Sequence, residues 1–168
     1  MEEGIHVISM LVHNRSGVLS RVAGVFGRLG YNIESLCVAE TTNPKISRIT
    51  LVSRANADFT EKIKKHLDRL VDVIQVTELS QRHSIQKEMM LLGIYMKPEN
   101  RKEIMQAIEM FGCKIVSIRD CYCIIESVRS RGEIETILNY FEPMGIVELA
   151  RTGMIALQQK KSNNEDQQ

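Results

Sequence analysis

The chain reads as α+β, two small sandwiches in tandem, each built in the order β-α-β-β-α-β. Three observations predict this. Short apolar runs alternate with stretches in which apolar residues recur every three or four positions. Turn residues punctuate them at Asn14-Arg15-Ser16-Gly17, Thr41-Thr42-Asn43-Pro44-Lys45 and Arg119-Asp120. The order of elements over residues 1–80 then recurs over 84–158, although the residues themselves do not visibly repeat.

Taken in order, Ile5 to Val12 is an apolar run that predicts a strand. Leu19, Val22, Phe26 and Leu29 follow at helical spacing, with Ser16 placed to cap the helix and Gly30 to close it in a left-handed conformation. Gly24 and Gly27 fall within this helix and are read as packing positions. Ile33 to Glu40 and Ile46 to Ser53 are the next strands, the second alternating Ile49 and Leu51 with Arg48 and Thr50. Asp58-x-x-Glu61 reads as a capping box before a helix with Phe59, Ile63, Leu67 and Leu70 on its apolar face. Val71 to Leu79 closes the unit as a strand. In the second half, Glu88 to Met96 is a strand, and Pro98 suits the first turn of a helix carrying Ile104, Ile108 and Phe111, ended by Gly112. Lys114 to Ile118 and Tyr122 to Val128 are the middle strands. Ser130-x-x-Glu133 is a second capping box, leading to Ile134, Ile137, Leu138 and Phe141 before Pro143 stops the helix. Ile146 to Leu157 is the last strand, with Gly153 as a bulge or bend. The junction falls at Ser80 to Ser84, and the polar tail 159–168 is expected to be frayed.

The first turn and helix form the one place with ligand chemistry. The opening amides of a helix lack intrahelical partners and carry partial positive charge. Gly17 has no Cβ, so another group can approach the amides at Gly17 and Val18, a setting for a small carboxylate. Asn14 and Asn32 flank the helix and bring both donors and acceptors. A zwitterion needs donors for its carboxylate and acceptors for its ammonium. From this stretch alone, ordinary turn residues remain the weightier reading.

Composition excludes several classes. At 43% hydrophobic and 26% charged residues the chain is globular. A formal net charge of +1 supplies no field to recruit nucleic acid or an acidic membrane surface. No apolar run reaches membrane-spanning length and Met-Glu-Glu-Gly lacks signal-peptide features, so a cytoplasmic protein is expected. Cys37, Cys113, Cys121 and Cys123 contain no CxxC pair and are expected to be reduced thiols packed in cores. His6, His13, His66 and His83 are scattered, and none is given a metal role. No acid–base pair, nucleophile motif, P-loop or GxGxxG is present; Asp120 and Glu126 sit where charged residues ordinarily sit. The β-α-β-β-α-β order also belongs to RNA-recognition modules. Those need aromatic residues on a central strand, and Ser47-Arg48-Ile49-Thr50-Leu51-Val52 has none.

The first strand is apolar on both sets of alternate residues, Ile5, Val7 and Leu11 against Ile8, Met10 and Val12, which calls for cover on both faces. Each half is also small for its own core. Both points favour a homodimer, with mutual cover by the two halves as the alternative.

The runs Asn14-x-Ser16-Gly17-Val18-Leu19-Ser20-Arg21-Val22, Gly30-Tyr31-Asn32-Ile33-Glu34-Ser35-Leu36-x-Val38-Ala39 and Ser47-Arg48-Ile49-Thr50 resemble the regulatory small subunits of acetohydroxyacid synthase (acetolactate synthase). Leu70-Val71-Asp72-Val73 and Val147-Glu148-Leu149-Ala150-Arg151-Thr152-Gly153 extend the resemblance to residues 5–157, with a looser match over 98–119. It implies an N-terminal ACT domain over 1–80 and a C-terminal ferredoxin-like domain over 84–158, neither with a catalytic centre. It further implies a homodimer that activates a catalytic large subunit and confers feedback inhibition by valine in branched-chain amino-acid biosynthesis. Thiamine diphosphate, magnesium and FAD are implied in that partner, and no cofactor in this chain. The resemblance places the effector between two ACT domains, at Asn14, Gly17 and Val18, at Asn32, and at Ala39. His13 stands where an acidic residue is expected in some members. Two other functions compete, a stand-alone ACT-type amino-acid sensor acting on another enzyme or on transcription, and a small enzyme with an unrecognised site. Co-purification with a large thiamine-diphosphate protein separates the first reading from the sensor.

Overall fold

The computed structural model describes residues 4–79 and 83–159. Residues 80–82 of the junction predicted at Ser80–Ser84, and the tail beyond Gln159, lie outside the described residues. In the first sandwich the elements are β1 (Gly4–His13), α1 (Val18–Leu29), β2 (Ser35–Glu40), β3 (Ile46–Ala55), α2 (Phe59–Leu67) and β4 (Val73–Glu78). They form an antiparallel sheet in the order β2-β3-β1-β4, which leaves β2 on an edge. Strand alternation sends Ile8, Met10, Val12, Ile49 and Leu51 to one face. There they pack with Val22, Val25 and Phe26 of α1 and Phe59, Ile63 and Leu67 of α2.

The opposite face is mixed rather than apolar. Val7 pairs with Val52, Ser9 lies between Thr50 and Thr77, and Leu11 lies between Arg48 and Gln75. Val7, Ser9, Thr50 and Val52 are nevertheless buried. Alternation in β1 alone, which contributes Ser9, could not reveal this, because Arg48, Thr50, Gln75 and Thr77 come from β3 and β4.

The second sandwich repeats the order with β5 (Ser84–Tyr95), α3 (Arg101–Phe111), β6 (Lys114–Arg119), β7 (Tyr122–Arg129), α4 (Arg131–Gly145) and β8 (Ile146–Gln158). Its sheet runs β6-β7-β5-β8. Met90, Leu92, Ile94, Cys123 and Ile125 face Ile104 and Ile108 of α3 and Ile134, Ile137 and Phe141 of α4. On the other face Tyr122 lies over Gly93, where an added Cβ would fall 2.1 Å from the phenol oxygen. Grouped by contacts, one compact unit holds the described residues up to Gln86 together with those from Ile155 onward, and the other holds Lys87–Met154.

Several local expectations are corrected. Ser16 does not cap α1; the N-cap is Gly17 at φ 81°, because the turn needs a left-handed residue that glycine adopts without strain. Asp58 precedes α2 already in helical conformation (φ −77°, ψ −6°), so its side chain makes no cap hydrogen bond. Thr60 donates instead to Glu78. The second box does form, with the Ser130 amide donating to Glu133 at 2.9 Å. Pro98 sits in the turn ahead of α3, whose N-cap is Asn100. Pro143 does not stop α4, which runs on to Gly145 with one backbone hydrogen bond forgone in its last turn. Gly24 and Gly27 are exposed and meet nothing within 4 Å, so they are not packing positions. Of the cysteines only Cys123 is fully buried; Cys37, Cys113 and Cys121 are half-buried. Gly153 does bend β8, at φ 77°.

Candidate functional site

The start of α1 is held by contacts that converge from distant parts of the chain. The Asn14 amide donates to the Lys45 carbonyl at 2.8 Å, tying the turn to the β2–β3 loop. The Asn14 side-chain nitrogen donates to Glu40 Oε1 and to the Pro44 carbonyl, both at 2.9 Å. Both amide hydrogens are thus engaged, and Asn14 presents its oxygen as an acceptor. Ala39, opposite Arg48 in the sheet, precedes Glu40 on the same edge strand.

Gly17 does not open onto empty space. A Cβ there would lie 3.0 Å from Arg21 Nη1, and Arg21 donates through Nη2 to Asp72 Oδ2 at 2.5 Å. The Asp72 carbonyl in turn accepts from the His13 amide at 2.8 Å. The Asp72 side chain is 13% exposed and that of Arg21 48%, so the guanidinium is the solvent-facing partner. Val18 buries its side chain in the core, and its amide donates to Arg15 at 3.3 Å. That long bond weakens the expectation that the Val18 amide is free for a ligand. No acidic residue lies in the first turn of α1, so its positive end is not neutralised from within. Helix amides and a guanidinium together favour a carboxylate, and the Asn14 oxygen and the Glu40 carboxylate nearby favour an ammonium.

Asn32 stands apart from the rest. It follows Gly30, which closes α1 at φ 74° with its amide bonded to Gly27 while Tyr31 bonds back to Phe26. The twelve residues of α1 put about 18 Å between its ends. Asn32 is exposed, its carbonyl accepts from Ser53 Oγ at 2.7 Å, and it lines a hollow of about 390 Å³ beside the Arg54–Glu34 ion pair. The structure therefore brings Asn14, Gly17 and Val18 to one end of α1 and leaves Asn32 at the other, while Ala39, on the adjoining edge strand, pairs with Arg48 and turns its side chain to the sheet face away from the helix. Within one chain, no small molecule reaches both.

Arg21, Asp72 and Glu40 complete the first group, and sequence reasoning did not assign them. Arg21 follows Gly17 by four residues, which places it on the same helix face, a signal open to inspection. Asp72 comes from 51 residues further along and gives no local sign.

Residues 8–75 match the family model of an AHAS small subunit-like ACT domain, and residues 87–160 match that of the small subunit of acetolactate synthase. An acetolactate synthase small subunit of Mycobacterium bovis is 35% identical over 157 residues, covering 94% of each chain. Its counterpart in Bacillus subtilis is 35% identical over 163 residues, covering 94% of this chain and 95% of that one. The crystal structure of an acetolactate synthase small subunit from Thermotoga maritima superposes with a TM-score of 0.87 at 33% identity, over 94% of this chain and 99% of that chain. With both sandwiches matched and relatives aligned along nearly its whole length, the chain belongs to the acetolactate synthase small-subunit family.

Proposed function

We propose that this chain is the regulatory subunit of an acetolactate synthase in branched-chain amino-acid synthesis, activating a catalytic large subunit and making it sensitive to valine. The thiamine diphosphate, magnesium and FAD of the reaction belong to that large subunit. The observation that carries the effector site is the division of its residues between the two ends of α1. Asn14, Gly17, Arg21 and Glu40 lie at one end and Asn32 at the other. Two copies related by a two-fold axis, with their β2 edges antiparallel, would set one chain's Asn32 beside its partner's Gly17. Each site then takes the effector's carboxylate at the helix start of one chain and a further polar contact from Asn32 of the other. The effector stabilises that pairing, and inhibition follows if the pairing binds the catalytic subunit differently.

The test is complementation. Gly17→Asp and Asn32→Ala each damage both sites of their own homodimer. In a mixed dimer, one site carries both lesions and the other carries none. Valine titration of acetolactate formation, with the large subunit added, is expected to regain sensitivity on mixing. Failure to regain it, with mixed dimers demonstrated by mass, refutes a site shared between chains.

A further inference from the structure

The sheet face turned away from α1 and α2 holds a second feature, and of the effector residues only Ala39, paired with Arg48, shares that face. Arg48, Ser9, Gln75 and Thr77 line a groove of about 850 Å³, with Leu11 and Leu79 among its apolar walls. Every lining residue belongs to the first compact unit. The volume is within the range of small-molecule sites.

Arg48 sets the chemistry. It is half-buried, and Nη1 donates to Ser9 Oγ at 2.9 Å. Among the described residues no carboxylate lies within ion-pair distance of it. A guanidinium carries five N–H donors in a planar fork matched to a carboxylate, and most of this one's remain to be satisfied. The residues beside it are neutral: Ser9 is 4% exposed, and Gln75 Nε2 donates to Thr77 Oγ1 at 3.4 Å. Arg48 is the one permanent charge among the lining residues, and His83 is the one other titratable group there, so with His83 neutral the groove balances a monoanion and a phosphate dianion would leave one charge uncompensated. Leu11, paired with Arg48, and Leu79 further along the same groove offer contact to an aliphatic chain. We infer that this groove binds a short aliphatic monocarboxylate, its carboxylate on Arg48 and its chain against Leu11 and Leu79. The site lies on the opposite face of the sheet from α1, so it is separate from the helix-start site and does not depend on the valine reading.

The probe is 3-methylbutanoate, added to the full ¹⁵N-labelled chain, with 3-methylbutan-1-ol as its neutral isostere. Saturable shifts are expected at the Arg48 Nε–H and at the Gln75 and Thr77 amides with the acid and not with the alcohol. Arg48→Gln is expected to weaken the acid at least tenfold while the remaining spectrum superposes on the parent's, and Arg48→Lys to retain part of the affinity. If Arg48→Gln fails to fold, Arg48→Lys and Gln75→Ala carry the comparison. No saturable shift in the groove, equal shifts from the alcohol, or unchanged affinity in these variants overturns the proposal. So do shifts confined to Gly17 and Arg21, which would return the acid to the helix start. Shifts in the groove that arise only on adding the catalytic subunit would give it to a protein carboxylate and equally overturn a small-acid site.

Discussion

Gly17 supplies the left-handed backbone that the turn before α1 requires. At φ 81° any other residue is strained by about 1–2 kcal/mol. Its Cβ would also press on Arg21 Nη1 at 3.0 Å, although that is the far end of a flexible side chain and can move. Gly17→Asp is therefore expected to fold with that modest loss, its carboxylate satisfying the helix amides and contesting Arg21 with Asp72. An incoming effector carboxylate then meets a like charge, a repulsion of about 4 kcal/mol at 4 Å in an effective dielectric near 20. Valine affinity should fall on the order of a thousandfold with activation of the large subunit largely kept. Calorimetry on the small subunit, beside valine titration of reconstituted activity, reads both. Unaltered valine binding would mean that the effector does not sit at this helix start. The turn was legible because Asn14, Gly17 and Gly30 are types with local meaning. That Asn14 spends its donors on Glu40 and Pro44 was not, since those partners come from other elements, whereas Arg21 beside Gly17 was readable from its spacing of four residues.

At the scale of elements, the eight strands and four helices of the described residues could be read from apolar runs, periodicity and punctuation. Ends and caps were less legible: Asp58 and Pro143 follow rules that the actual backbone conformation overrides. What joins elements was not legible at all. Glu88 of β5 is 5% exposed, and Arg151 of β8 grips it through Nε at 2.7 Å and Nη2 at 2.9 Å while Nη1 reaches Glu135 of α4 at 2.8 Å. The hydrogen bonds to Glu88 outweigh the cost of burial and hold the guanidinium charged. Arg151→Met would leave the Glu88 carboxylate buried without its cation. It should cost about 3 kcal/mol, the low end for a broken buried pair because Arg151 keeps some exposure. Adding Glu88→Leu should recover much of that loss, as urea denaturation of the three proteins would reveal; no recovery would mean that Arg151 acts through packing alone.

A second joint, between β1, β4 and α2, is sensitive to pH. Burial pushes the Glu78 carboxyl up, but hydrogen bonds from His6 (3.0 Å) and Thr60 (2.6 Å), with the His6 charge, bring it below its usual 4.5. A carboxyl lowered in the fold stabilises it above the unfolded value, and that contribution is lost as pH falls through the lower folded value. Stability of the parent should therefore decline below pH 4.5 more steeply than that of Glu78→Gln, in denaturation series taken down through that range. Parallel curves would remove Glu78 from the acid response.

For the whole molecule, the decisive relation is that the predicted effector residues do not meet within one chain. The sequence placed Asn14 and Asn32 on either side of a helix, but only the helix length says that they are too far apart to share one ligand in the same copy. If β2 edges join two copies, ligand binding and association are one equilibrium, and anything that binds the pair alone must tighten it. Valine should then lower the dissociation constant of the dimer in sedimentation equilibrium, and at about 100-fold excess over its own constant each site adds about 2.7 kcal/mol to the pairing. A charge on the joining edge, such as Val38→Lys, should weaken both association and valine binding, since Val38 is 42% exposed in the single chain and lies on that edge. Gly17→Asp should leave association without valine nearly unchanged and abolish only its tightening by valine. A chain that stays monomeric at micromolar concentration with valine bound would refute the shared pocket, because one copy would then have bound the ligand without Asn32 of another.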